Sequence, residues 1–243
     1  MTTSGTTSFD LDVDEIIQEA YERLGKDGSR SGYMLRSARR SLNILFQEWG
    51  NRGVHLWKVK KATVNLVLGQ AEYNYANDPT NFPTDINDVL ESYIRNNTTP
   101  SAPVDISLTK IDRSAYAALP NKLSQGTPSQ YYVQRTVNPS IFLYLTPGSN
   151  YSNAANPSNY QMIFYYLAKI EDAGAYTNTT NVVFRFIPAM VSGLAYYLSI
   201  KFAPERIDQL RLFYEDELMR ALQEDGQRTS LFVSPKTYYG DGL

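Results

Sequence analysis

The chain has 243 residues, no cysteine and one histidine, with 23 Lys and Arg against 25 Asp and Glu. Disulfide frameworks, thiol catalysis, cysteine-bound zinc or iron–sulfur centres and any two-histidine site are therefore excluded. A hydrophobic fraction of 42% with 20% charged residues reads as globular. No apolar run approaches the ~20 residues of a membrane span, and Met1 to Phe9 lacks the basic start and apolar stretch of a secretory signal. A soluble protein of a reducing compartment is the expectation.

Charge is unevenly placed. Residues 1–25 carry net −5 and residues 26–61 net +7, the latter from Lys26, Arg30, Arg36, Arg39, Arg40, Arg52, Lys58, Lys60 and Lys61. A basic stretch of this density can meet nucleic acid or an acidic neighbour in the same or another subunit. The second reading is favoured, because the bases fall on helix and strand alike and the whole chain is slightly acidic.

In chain order, Met1 to Ser8 is Thr/Ser/Gly-rich and expected to be mobile. Asp12 and Glu15 have capping-box spacing. Ile16, Ile17, Ala20 and Leu24 follow at helical period, and Gly25 supplies the stop. A second helix is expected from Tyr33 to Trp49. Leu35, Ala38, Leu42, Leu45 and Trp49 share one face of it, and Arg36, Arg39, Arg40 and Asn43 take the other. The pattern then turns strand-like: Val54–Val59, Ala62–Leu68, Glu72–Tyr75, Val89–Arg95, Gln130–Arg135, Ile141–Leu145 and Gln161–Ala168. Asp112 to Ala118 reads as a short helix ended by Pro120. From Phe186 helical spacing returns, with Ile187, Val191, Leu194, Leu198 and Phe202, then Ile207, Leu210, Tyr214, Leu218 and Ala221 after Pro204.

These elements imply an α+β fold. Helices from the two ends of the chain are expected to form one helical bundle, with a β-rich insertion between them and an extended C-terminal tail. The implied divisions are residues 1–53, 54–184, 185–226 and 227–243. No internal repeat is visible.

Chemistry is sparse. His55 has no nucleophile motif to serve, and no phosphate-binding loop occurs, so no cofactor, metal or catalytic residue is assigned. Paired carboxylates are the one enzyme class that composition leaves open. The candidates are Asp85 with Asp88, Glu171 with Asp172, and the run Glu215-Asp216-Glu217, all of which also read as solvated acids. The 19 tyrosines are conspicuous. Tyr131-Tyr132 and Tyr165-Tyr166 put one ring on each face of a sheet, and an outward row of Tyr and Asn suits an interface. The last segment holds Phe232, Val233, Pro235, Tyr238, Tyr239 and Leu243 without amphipathic period, as expected of a tail that docks on a partner.

Several stretches in this order resemble the head-to-tail adaptor (connector) proteins of short-tailed bacteriophages, the group that includes tail tubular protein A. They are Leu45-Phe46-Gln47-Glu48-Trp49-Gly50 with Leu56-Trp57-Lys58-Val59, then Phe82-Pro83-Thr84-Asp85-Ile86, then Ser114-Ala115-Tyr116 through Leu119-Pro120-Asn121-Lys122 to Gly126-Thr127-Pro128-Ser129-Gln130-Tyr131-Tyr132. The last runs from Phe186-Ile187-Pro188 through Gly193-Leu194-Ala195-Tyr196-Tyr197-Leu198 to Ala203-Pro204-Glu205-Arg206. The resemblance implies a structural virion protein of the tail or neck, made in the host cytoplasm. It implies a homo-oligomeric ring, usually of twelve subunits, beneath the portal protein and above a tail nozzle or tail tube protein. DNA would pass through the lumen without being read, and no membrane would be involved. On this reading the C-terminal segment docks on the portal, Glu215 and Glu217 are candidate lumen acids, and Arg36, Arg39 and Arg40 are candidate subunit-interface bases. The alternative is a virion-associated peptidoglycan hydrolase or glycan-binding tail protein that uses carboxylates and the Tyr-rich β part.

Overall fold

In the computed structural model, capping chemistry sets the first helix, α1 (Val13–Arg23). The Asp12 carboxylate accepts from the Glu15 N–H at 2.8 Å, and the Glu15 carboxylate accepts from the Asp12 N–H at 3.1 Å. This closes the capping box that the spacing predicts. At the other end Gly25 sits at φ +74°. Its N–H donates to the Glu22 carbonyl, and the Lys26 N–H donates to that of Tyr21. That pair of bonds needs a left-handed residue, hence glycine. The structure describes residues 5, 11–26, 30–53, 58–151 and 156–225.

The remaining elements are α2 (Gly32–Asn51), β1 (Val59–Asn65), β2 (Glu72–Asn74), β3 (Ile86–Asn96), β4 (Val104–Ile111), α3 (Arg113–Ala118), β5 (Gln125–Gly126), β6 (Gln130–Gln134), β7 (Ser140–Tyr144), β8 (Thr146–Pro147), β9 (Tyr160–Ala168), α4 (Ile187–Phe202) and α5 (Ile207–Asp225). Seven strands form one sheet in the order β1-β9-β3-β4-β6-β7-β2, and β5 pairs with β8 separately. All neighbours in the large sheet are antiparallel except β4 and β6. A parallel pair needs a crossover rather than a hairpin, and α3 lies in that crossover.

The chain divides into two units, residues 1–41 with 182–243, and residues 42–181. The division therefore falls inside α2, between Ser41 and Leu42. In the first unit α1 packs on α4 and α4 on α5. Val13, Ile16, Ile17, Ala20, Leu194, Leu198, Leu210 and Leu218 are buried there. In the second unit one core runs through the sheet, from Val64 and Tyr73 through Phe82, Val89 and Ile94 to Tyr131, Leu143, Met162 and Phe164.

The expected fold class is corrected. The described residues are organised on one seven-stranded sheet, and a single bundle of the N- and C-terminal helices with a β insertion does not describe the chain, because α2 divides between the two units. The physical reason lies in α2. Its buried residues Leu42, Leu45, Phe46 and Trp49 belong to the sheet-bearing unit. Helical spacing shows that an apolar face exists but not what covers it. The expected tail lies outside the described residues.

Two strand expectations also change. Of the expected strands 54–59 and 62–68, residues 54–57 lie outside the described residues, and β1 joins Val59 to the second stretch through Lys60 and Lys61, which stay exposed on an edge strand. Edge lysines of this kind discourage further pairing. β4 carries no predicted strand at all. Its sequence, Val104-Asp105-Ile106-Ser107-Leu108-Thr109, does alternate apolar and polar residues as a strand does, although only Leu108 of its eight residues is buried.

Candidate functional site

Of the candidate catalytic carboxylates, Asp85 and Asp88 are held by bases. Asp85 accepts from Lys60 Nζ at 2.9 Å and from the Tyr166 hydroxyl at 3.1 Å. Asp88 accepts from Lys110 Nζ at 2.9 Å, from its neighbour's N–H, Val89, at 2.8 Å and from Arg135 at 3.5 Å. Asp85 immediately precedes β3 and Asp88 lies within it, so these bonds tie β1, β9, β4 and the residue that follows β6 to that strand. Glu171 accepts from Asn181, and Asp172 accepts from the Gly174 N–H. Among the described residues, no group of acids could hold a metal ion. His55 lies outside the described residues.

The tyrosines split by face, as the paired sequence implies. Tyr131 and Tyr166 are buried, while Tyr132 is half-buried and Tyr165 exposed. The buried hydroxyls find partners. Tyr131 donates to the Leu90 carbonyl at 3.3 Å, and Tyr73 accepts from the Val67 N–H at 3.1 Å. Burial pushes both phenols up to about 12, so both stay neutral across the physiological range. Burial, with Asp85 beside it, raises Tyr166 too. On the outer face Tyr132 stacks with Tyr116 of α3 at 5.2 Å between ring centroids, and Phe142 leans on both. Lys122 Nζ stands 5.6 Å from the Tyr116 ring centroid. These rings cover one another and fasten α3 to the sheet.

No family model matches the chain, and no curated protein matches it.

The helical unit holds the remaining sequence-predicted residues. Glu217 points toward the other helices: its carboxylate accepts from the Ser192 hydroxyl of α4 and pairs with Arg23 of α1 at 3.6 Å. Arg23 also donates to the Ser192 hydroxyl, so one serine bridges acid and base. Glu215 is half-buried. Arg36 and Arg40 are exposed and have no ion-pair partner among the described residues, while Arg39 is half-buried and has contacts of its own. Lys201 donates to the Ser37 and Ser41 hydroxyls at 3.1 and 2.7 Å, tying α4 to the first half of α2. Phe232, Val233, Pro235, Tyr238, Tyr239 and Leu243 lie outside the described residues.

Two surfaces went unseen in the sequence. One is the solvent side of α5, where Leu212 (71% exposed), Phe213, Met219 (58%) and Leu222 are uncovered. The spacing from Leu212 to Met219 to Leu222 is helical, but it sits next to the buried stripe of Leu210, Tyr214, Leu218 and Ala221, which masks it. The other is a groove of about 510 Å³ between α1 and the start of α4, with Leu11, Ile187, Pro188 and Val191 as apolar lining and Glu15, Glu19, Glu22 and Arg23 among its polar lining. No helix among the described residues is long and apolar enough to cross a membrane.

Proposed function

We propose that this protein is a structural component of a virion, a head-to-tail adaptor. In this reading copies of the chain form a ring that joins the portal protein to the tail nozzle or tail tube protein, and DNA passes non-specifically through the lumen. The observation that carries the reading is the uncovered apolar side of α5, with Leu212, Phe213, Met219 and Leu222 exposed together. Large apolar side chains left exposed over successive turns of one helix suit a surface that is covered in an assembly. The resemblance in residues 33–225 to short-tailed phage connectors supports the same role. The lumen acids of this reading are Glu215 and Glu217, of which Glu217 is engaged with Arg23.

The test is the mass of the purified protein, alone and with its phage's portal, by light scattering. A fixed stoichiometric complex with the portal is expected. Removal of residues 229–243 is expected to abolish that complex while the thermal melt stays within a degree or two of the full chain. A protein that ignores the portal but hydrolyses purified peptidoglycan, with activity lost in an Asp85→Asn or Asp88→Asn variant, would replace the adaptor with the wall-degrading alternative.

A further inference from the structure

The groove between α1 and α4 has complementary chemistry elsewhere on the same unit. Its apolar lining comes from Leu11, Ile187, Pro188 and Val191, and its acidic wall is Glu15, Glu19 and Glu22 of α1. All three glutamates are exposed. They fall at i, i+4 and i+7, so they share one side of the helix over about 10.5 Å of its length. Arg23 is the one base in the lining, and it is already engaged by Glu19 at 3.0 Å and by Glu217. The wall therefore stays negative.

The exposed side of α2 has the opposite character at the same pitch. Tyr33, Arg36 and Arg40 fall at i, i+3 and i+7, all three are exposed, and Tyr33 is 69% so. Neither arginine has an ion-pair partner among the described residues. Arg40 also faces a like charge, since it helps to lower the pKa of Lys201 after burial has done so. An amphipathic ring flanked by two unpaired guanidinium groups, spanning about 10.5 Å of helix, matches an apolar groove with a glutamate wall of equal length.

We propose that the α1–α4 groove of one copy receives the Tyr33–Arg36–Arg40 side of α2 from a second copy. The Tyr33 ring lies on the apolar lining, and the guanidinium groups meet Glu19 and Glu22. The two patches are different surfaces, so the contact is heterologous. Each copy keeps one unused groove and one unused helix side, and association proceeds head to tail until it closes. This rests on the reading that the chain assembles with copies of itself, and it does not involve the portal.

The test uses the full chain at low ionic strength, followed by sedimentation velocity over a hundredfold range of concentration. The wild type is expected to associate with rising concentration, and less so as salt screens the pairs. Glu19→Lys with Glu22→Lys, and separately Arg36→Glu with Arg40→Glu, are each expected to weaken association by about tenfold or more, because like charges then face each other. Mixing the two double variants is expected to restore it, since each intact or reversed surface again finds its complement. That restoration also establishes that both variants are folded. A wild type that stays monomeric, double variants that associate as the wild type does, or a mixture that fails to recover would each overturn the proposal. A chain that binds the portal yet fails here keeps the adaptor reading and loses only this interface, whereas one that passes here and ignores the portal does the reverse.

Discussion

Lys58 is buried to 2% exposure, and its Nζ has no hydrogen-bond partner among the described residues. Burial lowers its pKa from 10.5, and Glu171 nearby opposes the shift. The unfolded chain, with an ordinary lysine, thus holds its proton to higher pH than the folded one. Between the lowered folded value and 10.5 the unfolded state binds more protons, so stability rises with pH through that window. Below the window the penalty for the charged, unpaired amine is fully present. Lys58→Met keeps most of the stem's packing and removes the amine, and an unsatisfied buried donor costs about 1–3 kcal/mol. The variant is expected to raise the urea midpoint at pH 7 by that equivalent and to flatten the rise in alkali. An unchanged midpoint would mean that the amine is satisfied. By contrast, Arg95 and Asp105 form a two-bond pair across β3 and β4 at 2.7 and 2.8 Å. The hydrogen bonds from Arg95 hold the Asp105 carboxyl below the usual range, but at an open surface such a pair adds little stability.

At the scale of elements, α1 depends on its cap. Asp12→Ala removes the acceptor for the Glu15 N–H and leaves only the return bond, from the residue-12 backbone N–H to the Glu15 carboxylate. The expected loss is about 1 kcal/mol, read as a lower thermal midpoint with the helical signal at 222 nm falling first. No loss would show that packing of Ile16 and Ile17 alone holds the helix. This cap, the Gly25 stop and the helices α2, α4 and α5 were legible because each signal is local, a fixed spacing within one element. β4 carries a strand's alternation in Val104, Ile106 and Leu108, but its neighbours, β3 antiparallel and β6 parallel, are not recorded in that spacing. The partner of each apolar face was illegible too. Leu42, Leu45 and Trp49 sit at helical spacing, yet they serve the unit that holds the sheet rather than a helical bundle. The same limit governs the surfaces. Arg36 and Arg40 could be read as a polar side of α2, whereas the α1–α4 groove joins residues from opposite ends of the chain, and no spacing records it.

Across the whole molecule, the two units differ in how the chain builds them. The helical unit needs both chain ends, since α1 comes from one and α4 and α5 from the other, and Arg23, Ser192 and Glu217 tie the three together. The sheet unit is continuous from residue 42 to 181 and holds every member of the main core cluster. Its seven strands close their ladders within that span, and no core side chain of the cluster is borrowed from outside it. A segment of that length buries roughly two-thirds of its unfolded surface when it folds, which is enough for independent stability. The fragment 42–181 is therefore expected to fold alone, with a β-type circular dichroism spectrum and a single cooperative thermal transition. The complementary deletion, a chain ending at residue 181, strips α4 from the apolar side of α1 that carries Ile16, Ile17 and Ala20, and it is expected to keep the sheet transition while α1 melts. A fragment without a cooperative transition would show that the sheet takes its stability from the helical unit, and the division of the chain into two self-sufficient cores would fail.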